Sequence, residues 1–236
     1  MKPSKIEWTE STWNPSTGCT KISTGCINCY AEVMSRRLQS MGMIKYKDGF
    51  NLSCHYEELK TPYKWKKPRI VFVDSMSDLF HENMPIDFIK AVFKVMNDCP
   101  QHTFQVLTKR ADILEKYFNQ LEWTSNIWMG LTVESNSHTK RIEALRNVPS
   151  IVKFLSIEPL LSAMPNMNLL NIDWVIVGGE SGPKSRPIKE EWVIDIKEQC
   201  EQSNIPFFFK QWGGKNKKAT GKLLQGKIYC QMPKFI

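Results

Sequence analysis

Short apolar runs alternate with amphipathic helical patterns along most of the chain after residue 69. The apolar runs are hydrophobic on both faces, which is typical of parallel strands covered by helices. Between them, apolar residues recur at spacings of three and four, as on one face of a helix. The predicted strands span residues 70–73, 103–107, 127–131, 152–155, 174–177 and 206–209. The predicted helices span residues 86–97, 111–118, 138–148 and 190–203, and another begins near residue 28.

Alternating strands and helices predict an α/β fold with a parallel sheet. A brief strand before residue 18, which ends at a turn set by Pro15, brings the count to six or seven. Because a closed barrel needs eight strands, we predict a partial (β/α) barrel over residues 1–214, with a basic extension over residues 215–236.

Polar residues or glycines follow each apolar run. Such groups at the carboxyl ends of successive parallel strands are typical of the active face of a β/α barrel, whereas a doubly wound sheet concentrates them at one or two switch points. Each of these residues has a simpler interpretation as a rim residue bonded to neighbouring backbone. The candidates are Ser75, Ser77 and Asp78, then Thr108 and Lys109, Thr132 and Glu134, Ser156 and Glu158, Gly178, Gly179, Glu180 and Ser181, and lastly Lys210, Gln211 and Trp212.

Three of the seven cysteines, Cys19, Cys26 and Cys29, lie within eleven residues in a C-x6-C-x2-C pattern. An odd number cannot pair internally, and three thiolates suit a soft metal or an iron–sulfur cluster. Three ligands leave one iron of a cubane open to a small molecule. A zinc site completed by Cys54 or His55 is the alternative, although the single C-x2-C has no second pair. The loop, residues 18–30, is predicted to open on the same face as the strand ends.

Composition narrows the class of protein. The 236 residues are 42% hydrophobic, enough for a substantial core, and no window approaches 18 apolar residues, so we expect no membrane contact. The amino terminus lacks the apolar core of a secretory signal. Seven cysteines in a protein without such a signal indicate a reducing compartment, such as the cytoplasm, in which thiols stay free.

The chain is basic, with a formal charge of +8 and a pI of about 9.1. This favours a polyanionic partner, although many soluble proteins are equally basic. Residues 63–69 mix aromatic and basic side chains, and the tail contains Lys215, Lys217, Lys218 and Lys222. Both segments are interpreted either as contacts for a nucleic acid or as solvated surface, with Trp65 packed on the domain in the second case.

Several segments together resemble the radical S-adenosylmethionine (SAM) superfamily, in which three cysteines after the first strand of a partial barrel hold a 4Fe-4S cluster. The chain looks most like a phage- and bacterium-associated three-cysteine-motif family of uncharacterised function. Two strand ends, at residues 74–78 and 107–109, are similar to the spore photoproduct lyase branch, whose members repair DNA. The segments that carry the resemblance are WTE at 8–10, TWNP at 12–15, GC at 18–19, CINCYAE at 26–32, SMSDLFH at 75–81, QVLTKR at 105–110, SIEPLL at 156–161, WVIVGGESG at 174–182 and FFFKQWG at 207–213.

The resemblance implies that the open iron binds the amino and carboxylate groups of SAM, and that an electron from the cluster cleaves SAM to a 5′-deoxyadenosyl radical. Three departures from the superfamily pattern stand out. The first gap between cysteines has six residues instead of three, Asn28 replaces an aromatic residue before the last cysteine, and the Gly-Gly-Glu motif at residues 178–180 follows a late strand instead of the second.

The resemblance also implies roles for the strand ends. Ser75, Ser77 and Asp78 would accept hydrogen bonds from the ammonium group of SAM. Lys109 would pair with the carboxylate of SAM, and Thr132 and Glu134 would hold the ribose of SAM. Gly178 and Gly179 would allow close backbone approach to the substrate. The expected SAM-binding residues are Tyr30, Ser75, Ser77, Asp78, Thr108, Lys109, Thr132, Glu134, Ser156 and Glu158. The expected substrate-binding residues are Gly178, Gly179, Glu180, Ser181, Lys210, Gln211 and Trp212.

The resulting expectation is a cytoplasmic radical SAM enzyme, in the host cytoplasm if phage-encoded, that abstracts hydrogen from a DNA, RNA or nucleotide substrate. It would take electrons from a reductase or a flavodoxin-type donor. The alternatives are a non-enzymatic nucleic-acid-binding protein stabilised by zinc or by a cluster, and an enzyme acting on a small metabolite or a partner protein.

Overall fold

A computed structural model describes residue 4 and residues 6–234, apart from the side chains of Lys217 and Lys218. The strands are β1 (Ser11–Trp13), β2 (Ser16–Thr17), β3 (Ser53–Cys54), β4 (Ile70–Val73), β5 (Thr103–Thr108), β6 (Ile127–Thr132), β7 (Lys153–Ile157), β8 (Trp174–Gly178) and β9 (Phe207–Gln211). The helices are α1 (Tyr30–Ser40), α2 (Ile86–Asp98), α3 (Ala111–Tyr117), α4 (Arg141–Arg146), α5 (Glu190–Gln202) and α6 (Lys217–Thr220). Short 3-10 helices cover Thr24–Cys26, Ile44–Tyr46, Tyr56–Lys60, Pro62–Lys64, Phe118–Gln120 and Asn136–His138.

Seven strands form one parallel sheet in the order β1-β4-β5-β6-β7-β8-β9, which curls into a half-barrel. The predicted partial (β/α) barrel is therefore confirmed. The sheet order follows the chain order because a helix or a loop returns the chain after each strand, so the next strand pairs in parallel with the last. A separate antiparallel pair, β2 with β3, has only two residues in each strand and was not predicted.

Contacts divide the chain into two compact units. The first comprises residues up to 22, residues 29–129 and residues 148–151. Within it, Trp13 lies opposite Val73 and Val73 opposite Val106 in the parallel register of β1, β4 and β5. Helix α2 buries one continuous apolar face, as its three- and four-residue spacing predicts. The fully buried side chains of this face are Phe88, Ile89, Val92, Phe93 and Met96.

The second unit comprises residues 23–28, residues 130–147 and residues from 152 onward. Strands β7, β8 and β9 pair through Leu155, Val175 and Phe207, and the register shifts between Val177 and Gly178. The segment after β9 returns along it, because Phe209 N donates to Tyr229 O at 2.9 Å. Residues 225 and 226 form a tight turn, with both residues at positive φ between the bridged Leu224 and Lys227.

The helix predicted over residues 138–148 is shorter in the structure. Helix α4 begins at Arg141, because residues 136–138 form a 3-10 turn in which His138 N donates to Ser135 O at 2.9 Å. None of the helices in the described residues is long and apolar enough to cross a membrane.

Candidate active site

The cysteine loop begins against the carboxyl end of β4 in the first unit. Gly18 N donates to Met76 O at 3.0 Å, and Ser77 Oγ donates to Gly18 O at 2.7 Å. Gly18 has a φ of +83°, and a Cβ there would overlap the carbonyl oxygen of Asn51, so only glycine fits. These bonds fix Cys19 beside the residues that follow β4.

Arg110 is the central residue of this part of the site, although only its neighbour Lys109 was selected from the sequence. Its guanidinium, buried to a side-chain exposure of 3%, donates to Cys19 Sγ at 3.4 Å and to Asp78 Oδ2 at 2.9 Å. It also reaches Glu82 Oε2 at 2.6 Å and the carbonyl oxygen of Thr20 at 3.1 Å. Burial works to lower the pKa of Arg110, but the charges of Asp78 and Cys19 outweigh it and raise the pKa. A permanent cation therefore lies against the Cys19 sulfur.

Asp78 orders the carboxyl ends of β4 and β5. Its Oδ1 accepts from Thr108 Oγ1 at 2.6 Å and from Phe80 N at 3.0 Å, and its Oδ2 accepts from Lys109 N at 3.2 Å in addition to Arg110. Asp78 is buried and accepts from four donors, so it holds the residues after β4 and β5 together. The expected bond from Asp78 to the ammonium of SAM stays a prediction.

Ser75 and Tyr30 lie on the same edge of the first unit. Ser75 Oγ donates to Asn14 Oδ1 at 3.0 Å, and Tyr30 OH donates to Ser75 O at 2.5 Å. Tyr30 is the first residue of α1 and follows Cys29 directly, so this bond holds the start of the helix against the end of β4. Ser77, Thr108 and Tyr30 are thus all donors to nearby groups of the protein, as the rim interpretation expects.

Asp74, the residue after β4, was not selected from the sequence. It has a φ of +56° and accepts from Ser16 N at 2.9 Å and from Ser16 Oγ at 2.8 Å. Burial raises the pKa of Asp74 to about 7, although the bonds from Ser16 oppose the shift. The signal in the sequence was an Asp at a strand end, where its tolerance of positive φ suits a sharp exit from the strand.

In the second unit, residues after Cys19 in the loop approach the end of β6. A Cβ on Gly25 would lie 2.9 Å from Glu134 Cγ, so glycine permits this approach. Glu134 is fully buried and accepts from Arg141 Nη1 at 2.7 Å, while Thr132 O accepts from the same nitrogen at 3.0 Å. The carboxylate expected to hold a ribose is therefore already neutralised by a cation from α4.

Glu180 ties the cysteine loop to the end of β8. Its Oε2 accepts from Asn28 Nδ2 at 2.9 Å and from Arg186 Nε at 2.9 Å. Its Oε1 accepts from Arg186 Nη2 at 2.5 Å. Burial works to raise the pKa of Glu180, but the hydrogen bonds from Arg186 and Asn28 hold it below its ordinary value. Asn28 Nδ2 also donates to Lys184 O at 2.9 Å. Asn28, which departs from the superfamily pattern, thus anchors the loop.

The remaining predicted residues lie at the ends of β7, β8 and β9. Lys210 Nζ pairs with Glu158 Oε1 at 3.0 Å, and a Cβ on Gly178 would overlap that oxygen. Ser156 Oγ lies 3.5 Å from Glu158 Oε2. Four further residues contact one another or the adjoining loop. Gln211 Nε2 donates to Ser181 Oγ at 2.6 Å, the Gly179 amide donates to Gln211 O at 2.9 Å, and Trp212 Nε1 donates to Leu223 O at 2.9 Å.

Residues 3–233 match the model of one family, described as protein of unknown function (DUF5131). The chain belongs to the DUF5131 family. Comparison with curated proteins and with solved structures gave no match. The description of the DUF5131 family assigns no chemistry, so the function of this member is argued from its own residues.

The donor chemistry of the DUF5131 protein fits a cluster with three thiolate ligands. All seven cysteines lie in the described part of the chain, and none forms a disulfide. The buried cation at Cys19 favours the thiolate form, which is the form that ligates metal. Among the described residues, no group of three or more His, Cys, Asp or Glu side chains is already gathered as a metal site.

The two residues considered as a fourth zinc ligand make other contacts. Cys54 Sγ lies 3.5 Å from Met84 Sδ, and burial raises the pKa of the Cys54 thiol. His55 Nε2 lies 2.8 Å from Thr17 Oγ1.

The basic segment at residues 63–69 belongs to the opposite edge of the first unit. It leads into the amino end of β4, whereas Ser75 and Asp78 follow the carboxyl end of the same strand. Trp65 is only 8% exposed and packs against His102 and Arg69, so the packed interpretation is correct and Trp65 is not available to stack a base. This segment cannot support a substrate at the strand ends.

Proposed function

We propose that this DUF5131 protein is a radical SAM-type enzyme in which Cys19, Cys26 and Cys29 hold a 4Fe-4S cluster. When bound, the cluster would supply the electron that cleaves SAM reductively, so that hydrogen is abstracted from a substrate. The substrate that we expect is a nucleic acid or a nucleotide, and the electron donor a reductase or flavodoxin-type protein. The expected location is the cytoplasm.

The observation that carries the proposal is the anchoring of the cysteine loop to strand ends. In the first unit Gly18 contacts a residue after β4 and Cys19 contacts one after β5, and in the second unit Gly25 and Asn28 contact residues after β6 and β8. Parallel α/β barrels place their chemistry at these ends. A loop that merely connected β2 to α1 would not need contacts with four strand ends.

The residues of the chain have defined tasks in this proposal. Arg110 holds Cys19 as a thiolate, because a buried guanidinium stabilises the negative sulfur. Asn28 and Glu180 fix the loop between Cys26 and Cys29. The hydroxyls of Ser75 and Ser77 keep a lone pair for an ammonium group after donating their own protons.

Anaerobic reconstitution with iron and sulfide, followed by assay of SAM cleavage, tests the proposal. We expect a brown protein that forms 5′-deoxyadenosine after reduction, and loss of both properties in Cys26→Ala. The matched control is Cys230→Ala, since Cys230 is exposed and lies outside the loop. A colourless wild-type protein with tightly bound zinc and no SAM cleavage would contradict the proposal and favour the zinc-stabilised nucleic-acid-binding protein.

A further inference from the structure

The loops after β8 and β9 are the most basic part of the second unit. Three of the eight residues 182–189 and four of the ten residues 213–222 are Lys or Arg, and neither segment contains Asp or Glu. The two segments are separated by 23 residues of sequence, which include α5 and β9. We name them together the basic ridge.

The structure joins the two segments directly. Gly214 N donates to Glu180 O at 2.8 Å, Gly182 N donates to Gly214 O at 3.1 Å, and Ser181 forms a parallel bridge with Gly214. Gly213 has a φ of +81°, and a Cβ there would overlap Glu180 O, so the close approach depends on glycine. The two loops are thereby held together at one edge of the sheet.

Three lysines of the basic ridge, Lys184, Lys189 and Lys215, are exposed to solvent. Arg186 is engaged with the buried Glu180, and Lys189 lies 3.7 Å from Glu191 Oε1, just outside the ridge. With no acidic residue in either segment, this edge carries a local excess of positive charge that a polyanion would neutralise.

The basic ridge is also fastened to the cysteine loop. Asn28 Nδ2 donates to Lys184 O, a backbone atom of the ridge, and to the carboxylate of Glu180 at its base. A strand bound along the ridge would therefore pass beside the residue that precedes Cys29.

We propose that the basic ridge binds the sugar–phosphate backbone of a nucleic acid. Lysines contact phosphates as point charges, and exposed lysines on two joined segments that contain no Asp or Glu suit a repeating anion better than an acidic protein surface, whose charges are sparse. The inference rests on the proposed function only where it makes the bound strand the substrate. The binding itself needs neither cluster nor SAM.

The test is binding of labelled single-stranded DNA, duplex DNA and RNA to the metal-free full chain over about 50 to 200 mM salt. The ridge variant is Lys184→Glu with Lys215→Glu. The matched control is Lys64→Glu with Lys66→Glu, two exposed lysines at the amino end of β4 whose replacement changes the net charge equally. Circular dichroism confirms that both variants fold.

We expect the ridge variant to lose affinity by about tenfold or more, and its slope of log affinity against log salt to fall by about 0.7–0.9 for each phosphate that is no longer neutralised. The control should lose less than about threefold. Equal losses in the two variants, or competition by polyglutamate as strong as that by nucleic acid at equal charge, would overturn the inference. Ridge-dependent binding in a protein that fails to cleave SAM would refute the proposed function alone.

Discussion

Three buried carboxylates and one half-buried carboxylate at the strand ends lie against a cation that comes from elsewhere in the same unit. Removing one member of such a pair leaves a buried charge without compensation, which costs more than the pair itself contributes. The pairs are Asp78 with Arg110, Glu134 with Arg141, Glu158 with Lys210, and Glu180 with Arg186. Replacing any one of these cations should therefore lower the free energy of unfolding.

Arg110→Met should lower the free energy of unfolding by about 3–5 kcal/mol, because the buried Asp78 carboxylate loses its cation. Arg36→Met is the control, since Arg36 makes an exposed ion pair with Glu32, and its effect should stay within about 0.5 kcal/mol. Urea denaturation of the metal-free chain measures both. Equal free energies of unfolding for Arg110→Met and Arg36→Met would contradict the role of Arg110 in holding the residues after β4 and β5 together.

Asp74→Asn should change how stability depends on pH. The folded pKa of Asp74 is raised to about 7 from an ordinary value of 3.8, so the folded state retains a proton that the unfolded chain has lost. The wild type therefore loses stability relative to Asp74→Asn as pH rises from about 4 to about 7, by up to about 1.4 kcal/mol per pH unit. Asparagine tolerates positive φ, so the backbone is kept.

Urea denaturation at several pH values from about 5 to about 8, which span the upper part of this window, checks this prediction. A stability difference between wild type and Asp74→Asn that is constant across this range would show that Asp74 titrates normally.

At the scale of elements, the alternation of apolar runs and helical patterns was enough to predict the sheet. Buried parallel strands such as β8 are apolar throughout, so their signal is local and strong. Strands β2 and β3 escaped prediction, because two residues carry no periodicity. Polar groups were expected at the ends of β4 and β5, but Asp74 after β4 and Arg110 after β5 were missed, since their importance comes from contacts with Ser16 and Cys19 far away in sequence.

The connection between the loops after β8 and β9 depends on glycine at position 213. Gly213→Ala should cost about 3 kcal/mol or more, because its Cβ would overlap Glu180 O and alanine disfavours a φ of +81°. Gly221→Ala is the matched control: its φ is +70°, but nothing lies within 4 Å of the added Cβ, so only the backbone cost of about 1 kcal/mol remains. Thermal unfolding distinguishes them, and similar midpoints would mean that the loops are not closely joined.

At the scale of the whole chain, basic segments occur in both units, but they are not equivalent. Residues 63–69 lead into the amino end of β4, whereas the basic ridge lies after the carboxyl ends of β8 and β9. Composition counts these charges together and cannot distinguish them. Only the direction of each strand shows which charges accompany the candidate chemistry.

The residues after 222 pack on the second unit, which a comparison of two adjacent leucines can test. Leu224 is fully buried and Leu223 is 56% exposed, and the same segment supplies Gln231 O to Trp174 Nε1 at 2.8 Å. Leu224→Ala should lower the free energy of unfolding by about 2–4 kcal/mol, because it leaves a cavity in the packed interior. Leu223→Ala should stay within about 0.5 kcal/mol. If this segment were a solvated extension, both substitutions would be neutral in urea denaturation.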